Sequence, residues 1–270
     1  MTGLFAQYAP LLRAMSDSDL EREIAAPDRF LIESASARGR RIDVAYAPFD
    51  YINHAAKIVI VGITPGRVQM RNALMEARRL LKAGKTEAEA MSGAKVFASF
   101  SGPMRSNLIA MLDHVGVNHL IGVGSTDKLW AEHSDKVQFT SALRYPTFVN
   151  GGNYSGNPSM TKVPMLEAQL ARWFGAEMQA LRHAIFVPLG DKVADALTMV
   201  ANKAGIGTER ILNGMPHPSG ANVERIQFFL NQRESSKLSR QVKPEKILAG
   251  RTALTAKLDT LREHQRAAAA

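Results

Sequence analysis

Lys57-Ile-Val-Ile-Val-Gly62, continued by Ile63-Thr64-Pro65-Gly66, decides the fold class. A β-branched run that stops at a glycine reads as a strand buried on both faces, the pattern of a parallel sheet. A helix is expected from about Asn72 to Ala83, stopped by Gly84, and a second over Met104 to Val115. Val137–Tyr145 reads as the next strand and runs into a polar, glycine-rich loop from Pro146 to Ser159. Pro164 opens another helix, in which Leu166, Leu170, Trp173 and Met178 keep roughly helical spacing. His183–Leu189 is a third strand, followed by Gly190 and a helix that Asp191 is placed to cap. Arg210–Met215 is a fourth, followed by Pro216-His217-Pro218-Ser219-Gly220 and a helix from near Asn222. This alternation predicts a three-layer α/β/α domain around a central, mainly parallel four-stranded sheet. In such sheets the ligand crevice lies beyond the carboxyl ends of the strands, so the loops after the four strands are the place to look for chemistry.

The flanks read differently. In the first 54 residues Leu4, Tyr8, Leu11 and Leu12 share a helical face, Asp17 to Ala25 is rich in helix formers, and Arg41–Tyr46 alternates like a short strand. We expect residues 1–54 to be an extension packed on an α/β domain of residues 55–235. Residues 236–270 form a basic tail with Ile247, Leu254, Leu258 and Leu261 among many charges. It reads as a helix that packs back on the core, or as an arm that tracks phosphates.

Composition sets the boundaries. Of 270 residues 46% are apolar, enough for a real core, and no apolar run reaches membrane-spanning length. Cysteine is absent, which excludes disulfides, thiolate zinc, cysteine-ligated iron–sulfur clusters and a cysteine nucleophile. The seven histidines are scattered without metal-binding spacing, and no Walker loop or GxGxxG follows the first strand, so neither a metal nor another cofactor is expected. Net charge is +9 with a pI of about 9.9. That balance suits a polyanionic partner, because neutralised phosphates release counterions. A cytoplasmic protein, monomeric and without a membrane partner, is expected.

Two segments together resemble the uracil-DNA glycosylase superfamily. Gly62-Ile63-Thr64-Pro65-Gly66 is similar to that superfamily's water-activating loop. His217-Pro218-Ser219-Gly220-Ala221-Asn222 resembles its His-Pro-Ser motif. Phe97–Leu112, with Phe100, resembles the segment whose phenylalanine stacks on the extruded base. Phe139–Leu143 looks like its base-reading strand, and Phe186–Gly190 like the strand and turn before the His-Pro-Ser motif. The resemblance covers roughly residues 55–232. It implies DNA as partner and hydrolysis of the glycosidic bond of a flipped-out, deaminated or modified base. His217 would then donate to the leaving base and Thr64 would hold the attacking water. Ile63, Phe100, Ser141 and Asn153 would contact the base, and Pro65, Gly66, Ser219, Gly220 and Asn222 would contact DNA.

Two positions depart from the family pattern. Thr64 stands where the family often has Asp, Asn or Glu, and a threonine is no carboxylate base. Ser141 stands where uracil-specific members carry asparagine, and a hydroxyl does not reproduce an amide's paired donor and acceptor. Plainer readings stay open as well: Pro65-Gly66 as a tight turn, Phe100 as core, Asn222 or Ser219 as a helix cap. The readings that follow are a DNA glycosylase, a catalytically weak or inactive binder of damaged or modified DNA, and an unrelated α/β enzyme for a small phosphorylated ligand.

Overall fold

The deciding run forms strand β3, Ile58–Gly62, in which Ile58 to Val61 are fully buried. The computed structural model describes residues 4–98 and 103–269. Its other strands are β1 (Leu31–Ala37), β2 (Arg40–Ala45), β4 (Val137–Ser141), β5 (Thr147–Val149), β6 (Gly152–Asn153) and β7 (Ile185–Pro188). The helices begin with α1 (Phe5–Ala14), α2 (Asp17–Ala25), α3 (Arg67–Lys82), α4 (Glu87–Ala98), α5 (Pro103–His114) and α6 (Val117–Ile121). They continue with α7 (Pro164–Gln169), α8 (Gly175–Ala180), α9 (Asp191–Ala204), α10 (Val223–Phe229) and α11 (Pro244–Ala269). The strands form two sheets, of order β1-β2-β5-β6 and β4-β3-β7, so the chain is mixed α/β. Two compact units result. The first is Met1–Ile52, Gly62–Ser99 and Phe139–Met178; the second is Asn53–Val61, Phe100–Gln138 and Gln179–Ala270.

In the first unit, β1, β2, β5 and β6 are antiparallel. Both hairpins turn on two residues with positive φ, Arg38-Gly39 and Asn150-Gly151, as the twist of paired strands favours. The second hairpin lies within the stretch expected to be a loop from Pro146 to Ser159. Helix α3 begins at Arg67 rather than near Asn72, because Gly66 is its N-cap and donates its N–H to the Gln69 side chain at 3.1 Å. Met70, Ala73, Leu74, Ala77 and Leu81 form its buried stripe. Helix α4 was not expected from periodicity. A reciprocal pair of bonds between Thr86 and Glu89 starts it, a capping box written as Thr86-Glu87-Ala88-Glu89.

A buried ionic cluster also belongs to this unit. Glu177 is fully inaccessible; its Oε2 accepts from Arg144 at 2.8 Å and from the Thr140 hydroxyl at 3.1 Å. Its Oε1 lies 3.8 Å from the Lys95 ammonium, which also donates to the Tyr51 carbonyl. Asp50 accepts from the Tyr145 and Tyr46 hydroxyls at 2.6 and 3.2 Å. A π turn over Leu170–Phe174, between α7 and α8, presents the Trp173 carbonyl to Arg144 at 3.1 Å.

In the second unit β3 and β7 pair in parallel, Ile58 opposite Ile185 through Val61 opposite Pro188. The parallel sheet has three strands, not the expected four. The segment 210–215 contributes one parallel bridge, Ile211 to Phe186, flanked by two 2.8 Å backbone bonds. Gly214, at φ +118°, leaves the extended region, and Pro216 has no N–H to donate, so the ladder stops. Strand β4 likewise ends at Ser141 rather than Tyr145, as Arg144 and Tyr145 turn into the ionic cluster. Gly190, at φ +93°, is the N-cap of α9, and Asp191 is its first residue rather than its cap.

The basic tail packs. Leu254, Leu258 and Leu261 of α11 are buried at i, i+4 and i+7 spacing. The helix crosses the backbone closely at Gly250, where a Cβ on Gly214 would run into the Gly250 carbonyl oxygen. Gly214→Ala is therefore expected to cost about 1–3 kcal/mol from its positive φ, with the steric conflict added. Thermal unfolding checks the loss, and hydrogen exchange should show α11 opening first.

Candidate functional site

The loop after β3 lies in the first unit and is held by its own polar groups. The Ile63 carbonyl accepts from Leu143 N–H at 2.9 Å. The Thr64 hydroxyl donates to the Tyr145 carbonyl at 2.9 Å and accepts from Thr147 N–H at 3.1 Å. A hydroxyl has one proton and two lone pairs, so one acceptor position stays open for a water proton. Pro65 is buried. A Cβ on Gly66 would lie 3.3 Å from the Asn153 amide nitrogen, and the Asn153 oxygen accepts from Arg67 N–H at 3.0 Å. Asn153 thus acts as a long-range cap for α3. Ser141 ends β4, half-buried. The structure brings Gly66 and Asn153 into contact and commits Thr64 to Tyr145 and Thr147. Thr64→Val, which keeps the shape, should leave the Thr147 N–H unpaired and the Tyr145 carbonyl with the Thr147 hydroxyl alone, and cost about 1–3 kcal/mol. Thr64→Ser should restore most of that loss in urea unfolding.

The loop after the bridge at Ile211 lies in the second unit and lines a cleft of about 740 Å³. Ser219 N–H donates to His217 Nδ1 at 3.2 Å. In the neutral ring the proton then sits on Nε2, which makes Nε2–H the one donor His217 offers. Burial pushes the His217 pKa below the ordinary histidine value, favouring this neutral form. The unfolded chain takes up the proton first as pH falls, so this group's share of stability declines below about pH 6.5. Gly190 lies beside the ring; a Cβ there would sit 3.6 Å from that of His217. Asn107 donates to the Pro218 carbonyl at 2.9 Å and tethers the loop to α5. Asn222 donates to Ser219 Oγ at 3.0 Å and accepts from Arg225 at 3.1 Å. Gly220 is exposed and opens a short 3-10 turn over Gly220–Asn222. The structure thus joins His217, Ser219 and Asn222 in one network. Phe100 lies outside the described residues.

Sequence reasoning missed several residues here. Arg225, Lys243 and Lys246 line the same cleft. Val223, directly after the His217 loop, is 48% exposed, and Val68, directly after the Thr64 loop, is 66% exposed. The signal available was an apolar residue standing alone at a loop–helix junction. Among the described residues no helix is long and apolar enough to cross a membrane.

No family model matches the chain, and no solved structure matches it. The chain is 34% identical over 229 residues to the Uncharacterized protein YoxB of Bacillus subtilis (strain 168), a match covering 84% of this chain and 87% of that protein. At that identity and coverage, the chain belongs to the YoxB family.

Proposed function

We propose that this protein is a DNA glycosylase that hydrolyses the N-glycosidic bond of a flipped-out deaminated or modified base. The observation that carries the reading is His217, held neutral by burial, oriented by Ser219 N–H, and offering Nε2–H at the wall of a cleft. Departure of the base places negative charge on its carbonyl oxygens, and a preorganised donor aimed at that charge lowers the barrier. Water oxygen bonds to the sugar C1′, the C1′–N bond breaks with its electron pair leaving on the base, and the proton lost by water ends, through solvent, on the departed base. In its own loop the Thr64 hydroxyl keeps a lone pair that can accept from a water. Val223, exposed directly after the His217 loop, suits an apolar wedge that holds a base step open. The β4-β3-β7 sheet, extended by the bridge at Ile211, serves in this reading as the middle layer of an α/β/α domain. The protein works in the cytoplasm, as a monomer, on DNA.

A second reading has its own support. The Thr64 proton is spent on Tyr145, and the Asn153 oxygen on Arg67. Both suit a relative that binds modified DNA without cutting the bond. Single- and double-stranded oligonucleotides carrying uracil, hypoxanthine, xanthine or hydroxymethyluracil separate the two. Abasic sites in at least one substrate establish the glycosylase. Preferential binding without abasic sites overturns it in favour of the binder.

A further inference from the structure

The cleft beside His217 has a second wall that lies outside the region of family resemblance, the start of α11. Lys243, Lys246, Ile247 and Gly250 line it together with Arg225. This wall is fixed in place. The Gly214–Gly250 crossing leaves no room for a side chain, and Leu254 and Leu258 are fully buried. Lys257 donates to the Ile211 carbonyl at 2.9 Å, and Arg262 to the Gly116 carbonyl at 2.7 Å.

Three cations and one acid line the cleft. Arg225 donates to the Asn222 oxygen and the Gln241 carbonyl, both at 3.1 Å and both uncharged, while neighbouring Glu224, which feels its charge, is paired with Arg233. Lys243 is exposed, and among the described residues its side chain meets no acid. Lys246 pairs with Asp191, the acid that lines the cleft, through side chains that are both mostly exposed. Such a pair is worth little and exchanges readily for a stronger anion. A guanidinium hydrogen-bonded to neutral groups, next to Lys246 on a fixed helix and Lys243 just before it, is a seat for phosphate.

We infer that Arg225, Lys243 and Lys246 bind a phosphodiester of the DNA strand whose base His217 serves, so that the C-terminal helix is part of the substrate surface. This rests on the glycosylase reading for the identity of the strand, but its test does not depend on base release.

The test is fluorescence anisotropy of the full-length protein with a single-stranded oligonucleotide of natural bases, across 50–200 mM salt. One neutralised phosphate contributes about 0.7 to the slope of log affinity against log salt on a single strand. Lys243→Gln with Lys246→Gln should lower the slope by that amount, whereas Arg266→Gln, about 30 Å further along α11 from Lys246, should leave it unchanged. Asp191→Asn, which frees Lys246, should tighten binding several-fold. An unchanged slope in the double variant would overturn the proposal. So would displacement of the oligonucleotide by equal concentrations of inorganic phosphate or a mononucleotide, which would point to a small phosphorylated ligand. Base release at saturating DNA keeps the two readings apart. Release with an unchanged slope sinks the phosphate seat alone, and a lowered slope without release sinks the glycosylase alone.

Discussion

Glu177→Gln is expected to destabilise the protein by about 3–5 kcal/mol, the usual result of removing one partner from a buried charge set. The side chain keeps its shape, so the loss reports charge rather than packing. Without the carboxylate, Arg144 and Lys95, 5% and 3% exposed, lose the acid that each pairs with, and Asp50 is the acid whose charge still reaches both. Part of the Gln amide also turns a donor towards groups that only donate. Urea unfolding at neutral pH measures the loss.

The same cluster gives the variant a characteristic pH dependence. Desolvation, partly offset by Glu177, brings the Lys95 pKa down from 10.5 to about 8. Between those values the unfolded chain holds a proton that the folded one has released, so this group favours the fold increasingly as pH rises. Removing Glu177 lowers the folded pKa further and widens that window downward. The gap between variant and wild type should therefore narrow from pH 7 to pH 9. A gap that stays constant would mean that Lys95 does not feel Glu177.

His217→Ala is expected to slow base release by about 10²–10³-fold, the cost of removing one preorganised donor, about 2.7–4 kcal/mol. DNA affinity should change little, because Ser219, Asn222 and Arg225 bond to one another without the ring. His217→Gln, which can still present an N–H, should recover part of the rate. The lowered pKa also fixes the acid limb of the pH profile. Since the neutral ring is the working form, release should hold as pH falls through about 6.5, where a free histidine is half protonated, and decline only below it.

The parts of this fold that were legible in the sequence were the locally encoded ones. The run from Ile58 to Val61 is β-branched throughout and is buried throughout. Leucines 254, 258 and 261 carry their helical spacing in plain view, and they pack. The hairpin at Asn150-Gly151 and the capping box at Thr86–Glu89 were equally local and were overlooked, although both are written in residues with a specific backbone meaning. The ionic cluster is of another kind. Asp50, Lys95, Arg144 and Glu177 come from four distant stretches, and no periodicity links them; only the fold brings them together.

The same division runs through the candidate site. The position of His217 between two prolines was readable, and so was its place after the last core strand. Its tautomer was not, because that depends on where one backbone N–H of Ser219 points. Thr64 looked like a water-holding residue, yet its hydroxyl ties the loop to Tyr145 and Thr147. Asn153 looked like a base contact and caps a helix that begins 86 residues earlier in the chain. Lys243 and Lys246 read only as part of a basic tail, since their place in the cleft depends on the glycine crossing at Gly214 and Gly250.

The most direct test of the central claim is to detect the free base itself. Excess protein would be incubated with an oligonucleotide carrying one modified base, and the small-molecule fraction would be followed by mass spectrometry, wild type beside His217→Ala. The account predicts free base in step with abasic sites from at least one of uracil, hypoxanthine, xanthine or hydroxymethyluracil, slowed at least 100-fold in the variant. No free base from any of the four, or release that proceeds equally well without His217, would contradict it.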